Sequence, residues 1–204
     1  MSEMHKEFME HDHSGIRPVR FVETDDQQVV NQSEVAPVRT YWKPELLIKT
    51  IRSALSESFG FVCPDFSPCI VLAQFTLECG RNSLVSGLNC WNYNCGNVRG
   101  VSRAGKFHEL KGAWELNEKG ERYYPKVQKF RAYDSFEESV REWCFVMSSQ
   151  RNFHHAFEVL KSPAPSAVSY VESARIGGYF TGDLKDYIAA VVSMSYEFSK
   201  LKTG

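Results

Sequence analysis

Residues 69–79, CIVLAQFTLEC, constrain the fold of this chain more than any other stretch. The run is almost wholly apolar, and Ser67-Pro68 before it reads as an N-cap followed by a first helical position. Gly80 can end the helix. A helix that is apolar on nearly every side belongs at the centre of a body, with other helices packed around it. The rest of the sequence therefore has to supply that wrapping.

It does so on both sides. Pro44 opens a helix whose apolar positions Leu46, Leu47, Ile51, Ala54 and Leu55 recur at helical spacing up to Gly60. Downstream, Ser135-Phe136-Glu137-Glu138 reads as a capping box ahead of the stripe Val140, Trp143, Cys144 and Met147. A short helix is predicted over 154–160, another over 166–175 ending at Gly177-Gly178, and a last one capped by Asp183 and carrying Tyr187, Ile188, Val191, Met194 and Phe198. Between the central helix and Ser135 the character changes. NCWNYNCGNVRG reads as a loop punctuated by Asn and Gly. Residues 107–116 and 121–133 read as two strands around the turn 117–120, with Pro125 making the second an edge strand. The expected fold is mainly α (α+β): a helical body, a small β-hairpin lobe, and a groove between them where a ligand would sit.

With 204 residues and 43% hydrophobic side chains, the chain can bury one core without disulfides or a metal. Its 24 Lys and Arg nearly balance 25 Asp and Glu, so nucleic acid is not an expected partner. The charge is unevenly spread, however. Residues 1–40 hold 4 basic and 8 acidic side chains, a charge of −4; the remainder holds 20 and 17, a charge of +3. Residues 1–40 therefore read as an acidic, flexible arm, solvated at His5, His11 and His13, that could dock on a partner. Residues 41–204 read as one mildly basic domain, expected to be a monomer. Six Cys lack any C-x-x-C pair and read as reduced, buried small hydrophobes. No metal or cofactor is expected. There is no run of about 18 apolar residues to span a membrane, and Met1 to Glu10 lack the apolar core of a secretion signal. The chain is expected to be made in the cytoplasm.

Glu78 is the residue that needs explaining, because it ends an otherwise apolar helix. Apolar neighbours and the negative end of the helix dipole both disfavour its anion and raise its pKa. A carboxylic acid that stays protonated near neutral pH suits a general acid acting on a glycosidic oxygen. The competing reading is a structural pairing with Arg81. A second carboxylate would come from the hairpin lobe, from Glu109, Glu115, Glu118 or Glu121. Trp91, Tyr93, Trp114, Tyr123, Tyr124 and Tyr179 offer flat rings for stacking on sugars. Asn89, Asn92, Asn94 and Asn97 offer amide donors and acceptors.

Four segments, in order, resemble the glucosaminidase family (glycoside hydrolase family 73, lysozyme-like), which is found in flagellar peptidoglycan hydrolase domains and bacterial autolysins. AQFTLECGRNSLV is similar to its helix ending Leu-Glu-Ser-Gly, with Cys79 in the Ser position. NYNCGNVRG resembles its Asn-rich loop, with Cys95 in a Phe-like position. KFRAYDSFEES resembles the segment after its β-lobe, and residues 174–183 resemble its Ala-Gly-Tyr-Ala-Thr-Asp-Pro segment. The resemblance implies hydrolysis of peptidoglycan glycan strands at a β-1,4 bond, by analogy as an N-acetylglucosaminidase. It maps the general acid onto Glu78, the second carboxylate onto Glu115, and makes Tyr179 a residue that positions water or polarises the cleaved sugar. Trp91, Asn92, Tyr93, Asn94, Asn97, Trp114 and Tyr124 are then the expected substrate contacts. Three alternatives stand beside this: a muramidase or lytic transglycosylase on the same polymer, a non-catalytic glycan-binding module in a phage or secretion assembly, and a metal hydrolase using Cys63, Cys69, His154 and His155. The wall lies outside the cytoplasm, so release by a phage or export by a dedicated apparatus is expected.

Overall fold

The computed structural model describes residues 31–79, 88–110, 115–116, 122–123, 127–180 and 182–201, with the backbone alone at 88–89, 115–116 and 122–123. Among the described residues six α-helices form the body: α1 (Pro44–Phe59), α2 (Ser67–Cys79), α3 (Phe136–Ser149), α4 (Arg151–Lys161), α5 (Ala167–Ile176) and α6 (Leu184–Phe198). As the apolar run requires, α2 is central. Eleven of its residues are buried, and it packs against α1 and α6. Phe75 on α2 also meets Trp143 on α3 edge-on, with ring centroids 5.3 Å apart. The ring of helices closes through α1–α3, α3–α4, α4–α5 and α5–α6 contacts.

Most helix ends follow local chemistry. Gly60 ends α1 in a left-handed conformation, φ 75°, which favours glycine. Ser135, Ser166 and Asp183 each accept a hydrogen bond from the backbone N–H three residues on, capping α3, α5 and α6. Glu138 reaches back as expected, but to the N–H of Asp134. Ser67 departs from the reading as a cap: its hydroxyl donates to the carbonyl of Leu160 at 2.6 Å, tying the start of α2 to the end of α4. The helix expected over 154–160 begins earlier, at Arg151, directly after Gln150 ends α3.

The strands are short: β1 (Ser33–Glu34), β2 (Arg39–Trp42), β3 (Leu88–Trp91), β4 (Lys106–Leu110), β5 (Glu115–Leu116), β6 (Arg122–Tyr123) and β7 (Gln128–Arg131). The predicted hairpin is present. Both its inner ladder β4–β7 and its outer ladder β5–β6 are antiparallel, and their paired residues are equidistant along the chain from Lys119, so one register runs through both. Among the described strands β7 lies at an edge, in the order β1-β4-β7.

Two features differ from the sequence reading. β1 lies parallel on β4, and β2 pairs antiparallel with β3. Residues 33–34 and 39–40 therefore enter the sheets, earlier than the expected start near Tyr41, while residues 1–30 of the proposed arm lie outside the described residues. Residues 89–91, read as the beginning of a loop, are strand for the same reason: half of their partner strand, Arg39 and Thr40, comes from the segment read as arm.

Candidate active site

Glu78 sits in the last turn of α2, only 9% exposed. The hydroxyl of Tyr187, on α6, donates to its Oε1 at 3.0 Å. Its Oε2 is buried and has no hydrogen-bond partner among the described residues. Burial pushes the Glu78 pKa from 4.5 up to about 8, opposed only by the hydrogen bond from Tyr187. No Lys or Arg among the described residues forms an ion pair with it; Arg81 lies outside them.

Among the described residues its surroundings are neutral and aromatic. Tyr170 on α5, Tyr179 after α5, and Tyr187 on α6 are all buried, and the charge of Glu78 adds to burial in pushing each phenol up. Tyr170 donates to Oε1 of Gln74, one turn before Glu78. The next residue, Cys79, donates its thiol to the carbonyls of Asn94 and Cys95, at 3.3 and 2.9 Å, locking the end of α2 to the Asn-rich loop.

That loop is tightly wound. Asn92, Tyr93 and Asn97 all have left-handed backbones, with φ between 47° and 58°. Asn tolerates this region well, whereas Tyr93 adopts it at a steric cost. Two of the amides expected to meet substrate, Asn92 and Asn94, bond the backbone. Asn94 bonds Val98 twice and the carbonyl of Arg131 once. Asn92 accepts from the N–H of Val38 and donates to Ala36. Trp91 is half-buried and carries the Arg39 guanidinium 3.9 Å from its ring centroid. Tyr93 meets Phe136 edge-on, and Asn97 is half-buried.

Tyr179 lies near Glu78 but is wholly buried, and its hydroxyl accepts from Nε1 of Trp143 at 3.2 Å. Glu115 is in β5, opposite Tyr123. Glu109 is half-exposed on β4. Trp114, Glu118, Glu121 and Tyr124 lie outside the described residues. Among the described residues no three His, Cys, Asp or Glu side chains are grouped to hold a metal ion, and His154 bonds the carbonyl of Ser148.

Sequence reading missed Tyr187 and Tyr170 as neighbours of this carboxyl. Gln74 and Glu78, polar residues four apart on an apolar helix, were a usable signal of one shared polar face. Tyr187 gave none, because it is 109 residues from Glu78.

No protein-family model matches the chain, and no curated protein matches it. Solved structures do, and they define the fold as that of a lysozyme-like domain, mainly α with a small β-lobe, as expected. One is the catalytic domain of the autolysin Auto from Listeria monocytogenes, 19% identical, with a TM-score of 0.52 over 77% of this chain and 86% of that one. Another is a mutant peptidoglycan hydrolase from Sphingomonas sp. A1, also 19% identical at a TM-score of 0.52, over 76% of this chain and 97% of that one. No described helix is long and apolar enough to cross a membrane.

Proposed function

We propose that this chain is a peptidoglycan hydrolase that cleaves β-1,4 bonds of the glycan strand as an N-acetylglucosaminidase, with Glu78 as general acid. The observation that carries the reading is the buried Glu78 carboxyl, which has no ion-pair partner among the described residues and keeps its proton up to about pH 8. An acid that is neutral at working pH can protonate the leaving oxygen as the glycosidic bond breaks. The fold shared with two wall-acting enzymes supports the substrate class. So does the +3 charge of residues 41–204, which suits an anionic polymer.

Glu115 is the proposed second carboxylate, activating water across from Glu78. Tyr179 then acts from beneath the site, since its hydroxyl already serves Trp143. The chain acts on the wall as a monomer, with residues 1–30 as a docking arm. A second reading, lytic transglycosylase, is favoured by one fact: Glu78 is the one carboxyl placed in the described site, and that reaction needs a single acid/base.

Purified protein on isolated sacculi, with mass analysis of the products, tests this. Reducing-end N-acetylglucosamine is expected. Anhydro-sugar ends would point to the transglycosylase, and reducing-end N-acetylmuramic acid to a muramidase. Glu78→Gln should lose about a hundredfold or more in rate. Full activity in that variant would overturn the assignment of the acid, and sacculi bound but uncut would favour a non-catalytic module.

A further inference from the structure

We propose that Tyr187 is a positioning residue for Glu78: by donating its hydroxyl proton to Oε1, it leaves the transferable proton of the acid on Oε2. The inference rests on the reading of Glu78 as a general acid. A neutral carboxyl carries one proton on one of two oxygens, and the oxygen that accepts a hydrogen bond serves as the carbonyl-like one. Tyr187 and Oε1 are 3.0 Å apart. The direction of that bond follows from the surroundings. Among the described residues the Tyr187 hydroxyl has no other acceptor, so it would strand its own proton if it accepted from Glu78. Oε2, buried and with no partner among those residues, is left to carry that proton.

Tyr187 is built to hold this position. Its ring stacks on Phe180, with centroids 3.8 Å apart and planes 7° apart. Its amide bonds the carbonyl of Asp183, the residue that caps α6. Among the described residues, the other titratable groups around Glu78 are Tyr170 and Tyr179 from the α5 side and Cys79 on α2. All three have their ionisation pushed up, so none of them changes charge as Glu78 titrates.

The sign of one measurement separates the two bond directions. A donor to the carboxyl stabilises its anion, so removing it raises the Glu78 pKa; an acceptor of the acid proton stabilises the neutral form, so removing it lowers the pKa. The experiment is carbon NMR of the full chain labelled at the Glu carboxyl, with the Glu78 signal assigned by its loss in Glu78→Gln. Tyr187→Phe keeps the ring and its stacking. It should move the titration from about 8 upward by about one pH unit. The alkaline limb of kcat/KM on sacculi should move the same way, with kcat lowered and KM unchanged. Difluorotyrosine at position 187, a stronger donor that retains the hydroxyl, should move the titration downward, and serves if the Phe variant folds poorly. An unmoved titration, or a downward shift in Tyr187→Phe, overturns the proposal. The NMR reading needs no turnover. A moved titration in a protein that cuts no sacculi upholds Tyr187 and sinks the hydrolase reading; an unmoved one in an active protein does the reverse.

Discussion

Glu78 couples the proposed chemistry to stability. Its carboxyl keeps a proton up to about pH 8 in the fold, whereas an exposed one releases it near 4.5. Between those values the folded state holds one more proton than the unfolded chain. Stability from this residue is therefore full below about 4.5, falls as pH rises through the window, and is level above 8. Glu78→Gln removes the titration with little change of shape. Relative to wild type it should be near neutral at pH 5 and more stable by on the order of 4 kcal/mol at pH 8.5. Urea unfolding of the two proteins at both pH values checks this, and comparing them cancels every other titrating group. A constant difference would mean that Glu78 is ionised in the fold. The burial of this carboxyl was legible in the sequence because its helix is apolar on all sides, and burial follows from composition alone. Its partner was not legible, because a hydrogen bond from α6 depends on how the helices pack. For the same reason the backbone bonds of Asn92 and Asn94 were not legible: sequence shows the amide but not the groups it meets.

Helices were read more accurately than strands, and the reason is range. A cap is settled within four residues, so Ser135 and Asp183 were identifiable as N-caps, and both act as such. Ser67 has the same local signature but loses its role to a carbonyl 93 residues away. The strands β1, β2 and β3 are two to four residues long, too short for alternation to register. Their partners are distant: Ser33 lies opposite Lys106, and Thr40 opposite Cys90. Asp183 gives this scale its test. Its side chain accepts from the amide of Asp186 and places a negative charge at the positive end of the α6 dipole. Asp183→Ala should cost about 1 kcal/mol in urea unfolding. It should also speed amide exchange at Asp186 and at Tyr187, the residue whose hydroxyl meets Glu78. Unchanged exchange there would mean that packing, and not the cap, holds the start of α6.

The β-lobe and the helical body are joined by polar contacts that cross from one to the other. Arg131 on β7 forms a buried ion pair with Glu142 on α3, and both side chains are under a tenth exposed. The other oxygen of Glu142 accepts from the backbone of Arg103, and Arg131 also donates to the carbonyl of Arg99. One carboxylate on the body therefore holds two segments of the lobe. Removing one member of a buried pair leaves the other charge without its counterion, a cost of about 3–5 kcal/mol. Glu142→Ala should lose that much stability, and the double variant Arg131→Met, Glu142→Leu should recover most of it by replacing the pair with apolar packing. Arg141 and Glu57 give the control. That pair joins α3 to α1 at 3.0 Å, but both side chains are more than half exposed, so Glu57→Ala should cost about 1 kcal/mol or less. Urea midpoints of the four proteins decide the matter. If Glu142→Ala proves no worse than Glu57→Ala, the lobe is held by backbone pairing and the Asn94 bonds. If it is much worse and the double variant recovers, the buried pair sets the lobe on the body and with it the position of β5, which carries Glu115, relative to Glu78.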